Sequence, residues 1–219
     1  MTVVKATATS WRQQQTAKTR DHIVAVATSL LVDAPTEPFS HERVAQAAGL
    51  GARTVYRHFP TRADLMQALW ERVRDETHTR FPSTEEEVVT FARTQFDEFG
   101  EREALVRASN TFAAASELRA RGSLEGRPAF RRSLSHITKS LSEWEQRRLE
   151  AVCLAIYSAS FWLLLRDRGQ LTANEPGQAA AWAMSVLLAA AKTEARTQAQ
   201  APARKERTNG SRRTRRAER

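Results

Sequence analysis

Residues 40–65, which read SHERVAQAAGLGARTVYRHFPTRADL, constrain the fold of this chain more than any other stretch. Ser40 is suited to be a helix N-cap, because its hydroxyl can accept a backbone N–H at the start of a helix. Gly49 stands where that helix must end in a left-handed residue, which glycine adopts without a Cβ penalty. Ala45 is small where two helices would cross, and Val55 is apolar where the second helix would be buried. The pattern predicts a helix-turn-helix.

The second helix of this motif carries the side chains that a DNA-reading element needs. Short and basic residues come first, and hydroxyl, guanidinium and imidazole donors follow within a few positions. No acidic residue lies between Arg43 and Thr61, and Thr61 with Asp64 forms the capping-box pattern of the next helix. We expect contacts to base edges from Ala52, Arg53 and Thr54, and contacts to phosphates from Lys18, Ser40, Tyr56, Arg57, His58 and Arg62.

Composition predicts an all-α fold. Strong helix formers dominate the 219 residues, whereas the 8 glycines and 7 prolines are few and no segment alternates like a strand. We expect a three-helix N-terminal head that helix 4 joins to a helical body. The predicted divisions are a flexible arm (1–15), the helix-turn-helix DNA-binding head (16–80), the ligand-binding and dimerisation body (81–195) and a disordered basic tail (196–219).

Local signals also predict where individual helices begin and end. Thr19 is expected to cap the first helix, and helix 4 is expected to start at Arg62 and to be the only continuous link between head and body. Glycine and proline predict a turn over residues 122–128. A capping box of either Ser83 with Glu86 or Thr84 with Glu87 is expected to open a helix that ends at Gly100. Further helices are predicted over 101–119 with an interruption near Asn110, and over 127–140, 143–167 and 177–193.

Most of the positive charge lies at the C-terminus. The chain has 34 Lys and Arg against 25 Asp and Glu, a net charge of +9. Nine of these bases and two of these acids fall within residues 196–219, so this segment carries +7 and the remainder only +2. A segment with almost no apolar content cannot bury a core, so we expect it to be disordered.

The sequence offers no pattern for chemistry. A single cysteine, Cys153, excludes an internal disulfide framework and fits a reducing cytoplasm, where we expect this protein. The five histidines show no metal-ligand spacing, and phosphate loops, nucleophile elbows and paired catalytic carboxylates do not stand out. We therefore expect no enzyme activity, catalytic residue, metal or cofactor. The apolar run 151–165 is short for a membrane span, and a buried helix is the better interpretation.

The segment from residue 19 to residue 73 resembles the DNA-binding domain of the TetR family of bacterial transcriptional regulators. The matching pieces are TRDHIVAVATSLL, VAQAAGLGARTVYRHF and PTRADLMQALWERV. Three positions depart from the family pattern: Arg43 replaces a common acidic residue, Gly51 a common serine N-cap, and Arg53 a common small residue. The last change suggests that Arg53 makes a DNA contact of its own.

The resemblance implies a homodimer with a small-molecule effector site in each body. The last two long helices pair with their copies in that family, and a small-residue face permits close approach of helices. The expected dimer contacts are Trp162, Leu165, Trp182, Ser185, Val186 and Ala189. The alternative is that these helices close the core of a monomer. An aromatic-rich effector pocket is expected from Phe96, Phe99, Phe112, Trp144, Tyr157 and Phe161, with the Tyr157 hydroxyl as its polar handle. For each of these residues taken alone, core packing is the more common explanation.

Two functions are compatible with these patterns. The first is a sequence-specific regulator of transcription, most often a repressor in this family, released from a palindromic operator on double-stranded DNA by a ligand. The second is a basic-tailed helical protein that binds nucleic acid without sequence preference through its C-terminal segment. Removal of the tail distinguishes the two functions. DNA binding should persist without the tail under the first function and should be lost under the second.

Overall fold

The computed structural model describes residues 3–200, with side chains described from residue 11 onward. Within that range the chain is helical without strands, as predicted. The predicted tail lies outside the described residues from position 201 onward. In chain order the helices are α1 (Val3–Asp33), α2 (His41–Ala47), α3 (Ala52–His58), α4 (Arg62–Glu76), α5 (Glu85–Glu101), α6 (Glu103–Thr111), α7 (Ala115–Ser133), α8 (Ser135–Thr138), α9 (Glu143–Ile156), α10 (Ala159–Asp167) and α11 (Glu175–Gln200).

The helix-turn-helix is formed by α2 and α3. Ser40 caps α2 by accepting the Arg43 N–H at 3.2 Å, and Gly49 adopts the left-handed conformation with φ +66°. Both Ala45 and Val55 are buried, as expected where the two helices cross.

The first helix is much longer than the sequence analysis predicted. α1 starts at Val3, so most of the predicted arm is helical. Thr19 is not an N-cap: it lies inside α1, and its hydroxyl donates to the Gln15 carbonyl at 2.9 Å. The cause is local, since residues 3–20 contain neither glycine nor proline and are rich in Ala, Gln, Lys and Arg, which favour helix.

Capping boxes start three of the helices. Thr61 and Asp64 open α4, and Thr84 and Glu87 open α5, which selects the second of the two starts that the sequence allowed. Ser142 forms the same arrangement at α9 with the carboxylate three residues later. Each box satisfies backbone N–H groups that a helix start leaves without partners.

Residues of α6, α7 and their junction pack into the hydrophobic core of the head, which the sequence analysis did not anticipate. The Phe112 ring, between α6 and α7, packs edge-on against Phe39 of the head at a centroid distance of 5.9 Å. The Ala113 N–H donates to the Pro35 carbonyl at 2.9 Å. Leu118 of α7 belongs to the same buried cluster as the core residues of α1 and α4. Helix α4 is therefore not the only link between head and body.

Residues 122–128, predicted as a turn, lie inside the continuous helix α7. A Cβ at Gly122 would stand 2.9 Å from the Trp70 ring, and one at Gly126 would stand 2.7 Å from Leu154. The glycines thus allow α7 to approach α4 and α9 closely rather than breaking the helix. Pro128 is also inside α7, so the predicted helix 127–140 is instead the end of α7 followed by the short α8.

The predicted helix 143–167 is divided in two. α9 ends at Ile156 and α10 begins at Ala159, with a bend of 57° between them. Ser158 is the N-cap of α10 and accepts the Phe161 N–H at 3.1 Å, so a local hydroxyl supports the break. The last helix, predicted to end near Thr193, continues to Gln200 as α11.

None of the described helices is by itself long and apolar enough to cross a membrane. Only α9 and α10 taken together have the length and composition of a span, and they are bent where they meet. Cys153, Tyr157 and Trp162 from this pair of helices and its junction are buried in the body core.

Candidate DNA interface and effector cavity

Helix α3, the second helix of the helix-turn-helix, presents a basic surface. Arg53 and Arg57 are exposed, whereas Thr54 is half-buried and Val55 faces the core. Gly51 is the N-cap residue and supplies no side-chain hydrogen bond, so the free N–H groups at the start of α3 remain available to an acceptor. The first turn contains no acidic residue. This end of α3 is suited to bind an anion such as a phosphate.

Ala52 and Arg53, both expected to contact base edges, differ in how much of the side chain is exposed. Ala52 is half-buried and packs against the head core, so little of its side chain is left for a base. Arg53 is exposed, and its guanidinium can make the paired hydrogen bonds that distinguish guanine. Of the three residues expected at base edges, Arg53 is therefore the best placed.

Tyr56 already has a hydrogen-bond partner. Its hydroxyl donates to a carboxylate oxygen of Glu42 at 2.8 Å, and its ring stacks on His41 with a centroid distance of 4.3 Å. This hydrogen bond raises the pKa of Tyr56 and contributes to lowering the pKa of Glu42, whose largest cause is a backbone hydrogen bond. His41 is itself fixed, since its Nε2 lies 2.8 Å from the Phe59 carbonyl oxygen. The ring of Tyr56 is thus held in place on the surface of the head.

His58 lies near two guanidinium groups at the end of α3. Partial burial lowers the pKa of His58 below its ordinary 6.5, and the charges of Arg57 and Arg20 lower it further. Arg20 reaches this position from α1, where it donates to the His58 carbonyl at 3.3 Å and lies over the Phe59 ring. Near neutral pH the imidazole is therefore mostly uncharged.

Arg62, expected to contact a phosphate, is engaged within the protein. Its guanidinium forms an ion pair with Glu117 of α7 at 2.7 Å and also donates to the Phe39 carbonyl. The hydrogen bonds that Arg62 donates to the Glu117 carboxylate raise the pKa of Arg62. Ser40 is likewise occupied as the cap of α2, whereas Lys18 is exposed on α1. Arg62 is thus a contact between the head and the body.

A cavity of about 430 Å³ lies in the body. Its walls come from α4, α5, α6, α7, α9 and α10, and its size is within the usual range of small-molecule sites. Phe99 and Tyr157, both expected in the effector pocket, line this cavity. The Tyr157 hydroxyl donates to the Arg80 carbonyl at 2.5 Å, and burial raises the pKa of this phenol. The expected polar handle is therefore already paired.

The other four residues expected in the pocket do not line the cavity. Phe112 is buried between head and body, Trp144 is 63% exposed on α9, and Phe96 and Phe161 pack together in the body core. The sequence analysis missed the walls that come from α4 and α7. The lining residues from these two helices are Trp70, Val73, Leu118, Arg119, Gly122, Ser123 and Arg127. The sequence signal that could have indicated these walls was the pair of glycines four residues apart, Gly122 and Gly126, where other helices approach α7 closely.

The residues expected at a dimer interface fall into two groups. Trp162 is 1% exposed and packs edge-on against Phe99, so it belongs to the core of the protomer rather than to its surface. Leu165 is half-buried in the same core. The four residues on α11 are exposed: Trp182, Ser185, Val186 and Ala189. Trp182 is 70% exposed and Val186 is 53% exposed, which leaves an apolar face on α11 uncovered.

Cys153 is buried on α9, as expected of a small core residue. Burial raises the pKa of its thiol to about 12. A thiol with this pKa carries almost no thiolate near neutral pH, and thiolate is the reactive form. Cys153 therefore acts in packing.

This arrangement is that of a DNA-binding transcriptional regulator, with a helix-turn-helix whose second helix is basic and a helical body that encloses a cavity. Residues 23–69 match the family model described as bacterial regulatory proteins, tetR family. The resemblance to the TetR family is thereby confirmed for the head, which is a TetR-type DNA-binding domain.

Two solved structures align with most of this chain. A tetR-family transcriptional regulator from Streptomyces coelicolor aligns with a TM-score of 0.53 at 17% identity, covering 84% of this chain and 86% of that one. NalD, the secondary repressor of the MexAB-OprM multidrug efflux pump in Pseudomonas aeruginosa, aligns with a TM-score of 0.48 at 17% identity, covering 78% and 95%. No curated protein sequence matches the chain. At such identity the first alignment establishes the fold of head and body together.

Proposed function

We propose that this protein is a homodimeric repressor of transcription that binds a pseudo-palindromic operator and leaves it when a small molecule enters the body cavity. The observation that carries the proposal is α3, with exposed Arg53 and Arg57 in a segment that has no acidic residue from 43 to 61. A short helix of this kind fits the major groove, where base edges differ in their donors and acceptors. We place the protein in the cytoplasm, where its DNA target is.

The DNA contacts in this proposal follow from exposure and charge. Arg53 reads a base, while Arg57, His58 and Lys18 bind phosphates. Tyr56 can add a phosphate contact only by exchanging its hydrogen bond to Glu42. Ser40 and Arg62 were expected to contact phosphates, but we assign them supporting roles within the protein instead. Ser40 caps α2, and Arg62 binds Glu117.

A dimer supplies the second recognition helix that a sequence reader of this size needs. One seven-residue recognition helix contacts only a few base pairs, and twofold symmetry would place its copy on the other half of the site. The exposed apolar face of α11, with Trp182 and Val186, is the surface that we propose to pair with its copy. Burial of a large aromatic side chain near the centre of an interface is a common source of binding energy.

Helix α4 is the element that would couple ligand to DNA. Trp70 and Val73 of α4 line the cavity, while Arg62 at the start of the same helix contacts the head through the Phe39 carbonyl. A ligand that favours a different position of α4 would change the separation of the two heads. A coupling of about 1–3 kcal/mol between the two sites is typical of allosteric proteins.

The first experiment is selection of DNA from a random pool with the chain ending after Gln200, which keeps α11 whole and removes the predicted tail. We expect a palindrome whose half-sites have a fixed spacing. The full-length chain and a chain with Arg53 and Arg57 both changed to Ala are the controls. Absence of any enriched sequence would contradict the proposal.

The second candidate function, binding through the basic C-terminal segment, is tested by the same experiment. Under that alternative the shortened chain would lose DNA binding altogether, and the full chain would bind all sequences with a steep dependence on salt. It is favoured only by the +7 charge of residues 196–219.

A further inference from the structure

The charged residues that line the cavity are all of one sign. Twenty-one described residues form its wall, and the two that are charged are Arg119 and Arg127 of α7. Both arginines are exposed, so they lie at the rim, where water can still reach the guanidinium groups. Among these lining residues none is acidic. The cavity entrance therefore has positive charge that its own wall does not balance.

Four other arginines of α4 and α7 have carboxylate partners: Arg62, Arg72, Arg74 and Arg131. Arg131, one turn beyond Arg127, holds Glu150 through two hydrogen bonds of 2.8 and 2.9 Å, and Arg74 binds Glu125 at 3.0 Å. Within residues 11–200, by contrast, Arg127 has no carboxylate within ion-pair distance, and Arg119 makes one 3.3 Å hydrogen bond to the neutral carbonyl of Asn110. The two rim arginines are thus available to an anionic group from outside.

Most of the hydroxyl groups around the cavity are already used. The hydroxyls of Ser109, Ser123 and Ser158 donate to backbone carbonyls at 2.7–3.2 Å, and that of Ser160 donates to Asn110 Oδ1 at 2.9 Å. The remaining wall is aromatic and aliphatic: Trp70, Phe81, Phe99, Val106, Leu118 and Leu154. A ligand inside this space gains mainly by burying apolar surface.

We propose that the cavity binds an amphipathic anion, with its apolar body among the aromatic and aliphatic side chains and its acidic group held at the rim by Arg127 and Arg119. A guanidinium group matches the planar geometry of a carboxylate and also suits a sulfonate or phosphate. This inference rests on the proposed function, in which the same cavity is the effector site. It adds the chemical class of the effector.

Two fluorescent probes with one aromatic skeleton test the proposal. 1-Anilinonaphthalene-8-sulfonate carries the acidic group, and N-phenyl-1-naphthylamine lacks it. Titration of the full chain should give a Kd about tenfold lower for the sulfonate, which corresponds to about 1.4 kcal/mol. Arg127→Gln should remove most of this preference and leave the Kd of the neutral probe unchanged. Arg132→Gln, on the same helix but outside the cavity wall, is the matched control and should change neither Kd.

The location of the probe is tested by filling the cavity. Ala155 lines the cavity and is exposed, so Ala155→Trp should block the cavity without disturbing the core. We expect this variant to lose the tight sulfonate binding. Equal affinity of the two probes overturns the proposal, as does a sulfonate preference that survives Ala155→Trp or the double replacement of Arg119 and Arg127 by Gln. Failure of the sulfonate to bind the unaltered chain overturns it too.

A parallel measurement of operator affinity separates this inference from the proposed function. If anions bind the cavity but operator affinity stays constant, the effector function fails and the ligand class stands. If uncharged compounds bind as well as anions and release the operator, the ligand class fails and the effector function stands.

Discussion

At the scale of single residues, the surface of the head combines side chains that are free with side chains that are already paired. Arg53 and Arg57 are exposed on α3, whereas Tyr56 is bonded to Glu42 and Arg62 to Glu117. A side chain that must give up an internal partner gains less from a phosphate, because one hydrogen bond replaces another. Arginines that look alike in the sequence are therefore expected to differ in their effect on DNA binding.

Replacement of three arginines should make this difference measurable. We expect Arg53→Ala to cost about 1–3 kcal/mol of operator affinity and to relax preference at one base per half-site. Arg57→Ala should weaken binding to all sequences alike and reduce the slope of log K against log salt by about one per head. Arg62→Ala should leave that slope unchanged, because Glu117 already balances its charge. Binding assays over a series of salt concentrations give all three results, and an unchanged base preference in Arg53→Ala would refute its reading role.

The depressed pKa of His58 leads to a pH dependence of DNA binding. The free protein has a pKa below 6.5 at this site, and a nearby phosphate would raise it by favouring the charged form. The complex then binds more protons than the free protein and DNA do separately. DNA affinity should therefore rise as the pH falls through the pKa that His58 has in the complex. It should become constant once the pH is below the pKa of His58 in the free protein. The free energy of unfolding should change in the opposite direction. The folded protein binds the proton of His58 less readily than the unfolded chain does, so it loses stability as the pH falls below 6.5.

Two histidine variants isolate the contribution of His58. In His58→Gln the gain in affinity between pH 7.5 and 5.5 should be smaller than in the unaltered protein. His136→Gln, on α8, should keep the full gain, because His136 pairs with Glu85 in the body. An identical pH profile for His58→Gln and the unaltered protein would show that His58 does not approach a phosphate.

At the scale of the elements, close approach of helices explains where glycine is required. Gly122 lets the Trp70 ring lie against α7, and the indole N–H of Trp70 is held by Glu125 at 2.8 Å. Because this hydrogen bond fixes the ring, it cannot readily move aside for a new methyl group. Gly100 of α5, in contrast, is exposed and would meet no atom within 4 Å of an added Cβ.

These two glycines form a matched pair for measurement. We expect Gly122→Ala to destabilise the protein by about 1–3 kcal/mol through overpacking. Gly100→Ala should be neutral or stabilising by up to about 1 kcal/mol, since alanine favours helix. Urea unfolding at one protein concentration compares them, and a stabilised Gly122→Ala would show that α7 and α4 can separate.

Local and distant interactions account for what the sequence could and could not predict. Ser40, Gly49 and the Thr61–Asp64 box were predicted correctly because each acts on its own segment of backbone. Residues 122–128 were predicted wrongly, since their glycines serve contacts with Trp70 and Leu154 that are remote in sequence. The cavity was only partly predicted for the same reason: six helices contribute to it, and aromatic content alone does not identify the walls.

At the scale of the whole molecule, the head and the body are joined through a common core. Phe39 and Phe112 pack together, and Leu118 lies in the cluster that contains the core of the head. Elements that share a buried core usually unfold together. We therefore expect one cooperative transition for residues 16–195 rather than separate transitions for two domains.

Truncation of the shared aromatic side chain tests this expectation. Phe112→Ala should destabilise the protein by about 3–5 kcal/mol and should increase hydrogen exchange in α1–α3 as well as in the body. Trp144→Ala is the control for loss of a large aromatic ring, and because Trp144 is 63% exposed its effect should stay within about 0.5 kcal/mol. Faster exchange confined to the body would indicate that the head folds by itself.

The shared core also decides where this chain could be joined to a different one. A hybrid regulator made by exchanging bodies at residue 80 would keep Phe39 and Pro35 but lose the Phe112 ring and the Ala113 N–H that complete their surroundings. The recipient body would have to supply an equivalent aromatic ring and backbone N–H between its sixth and seventh helices. Exchange of DNA specificity is therefore simpler by grafting the exposed residues of α3, since Val55 alone among Ala52–His58 is buried.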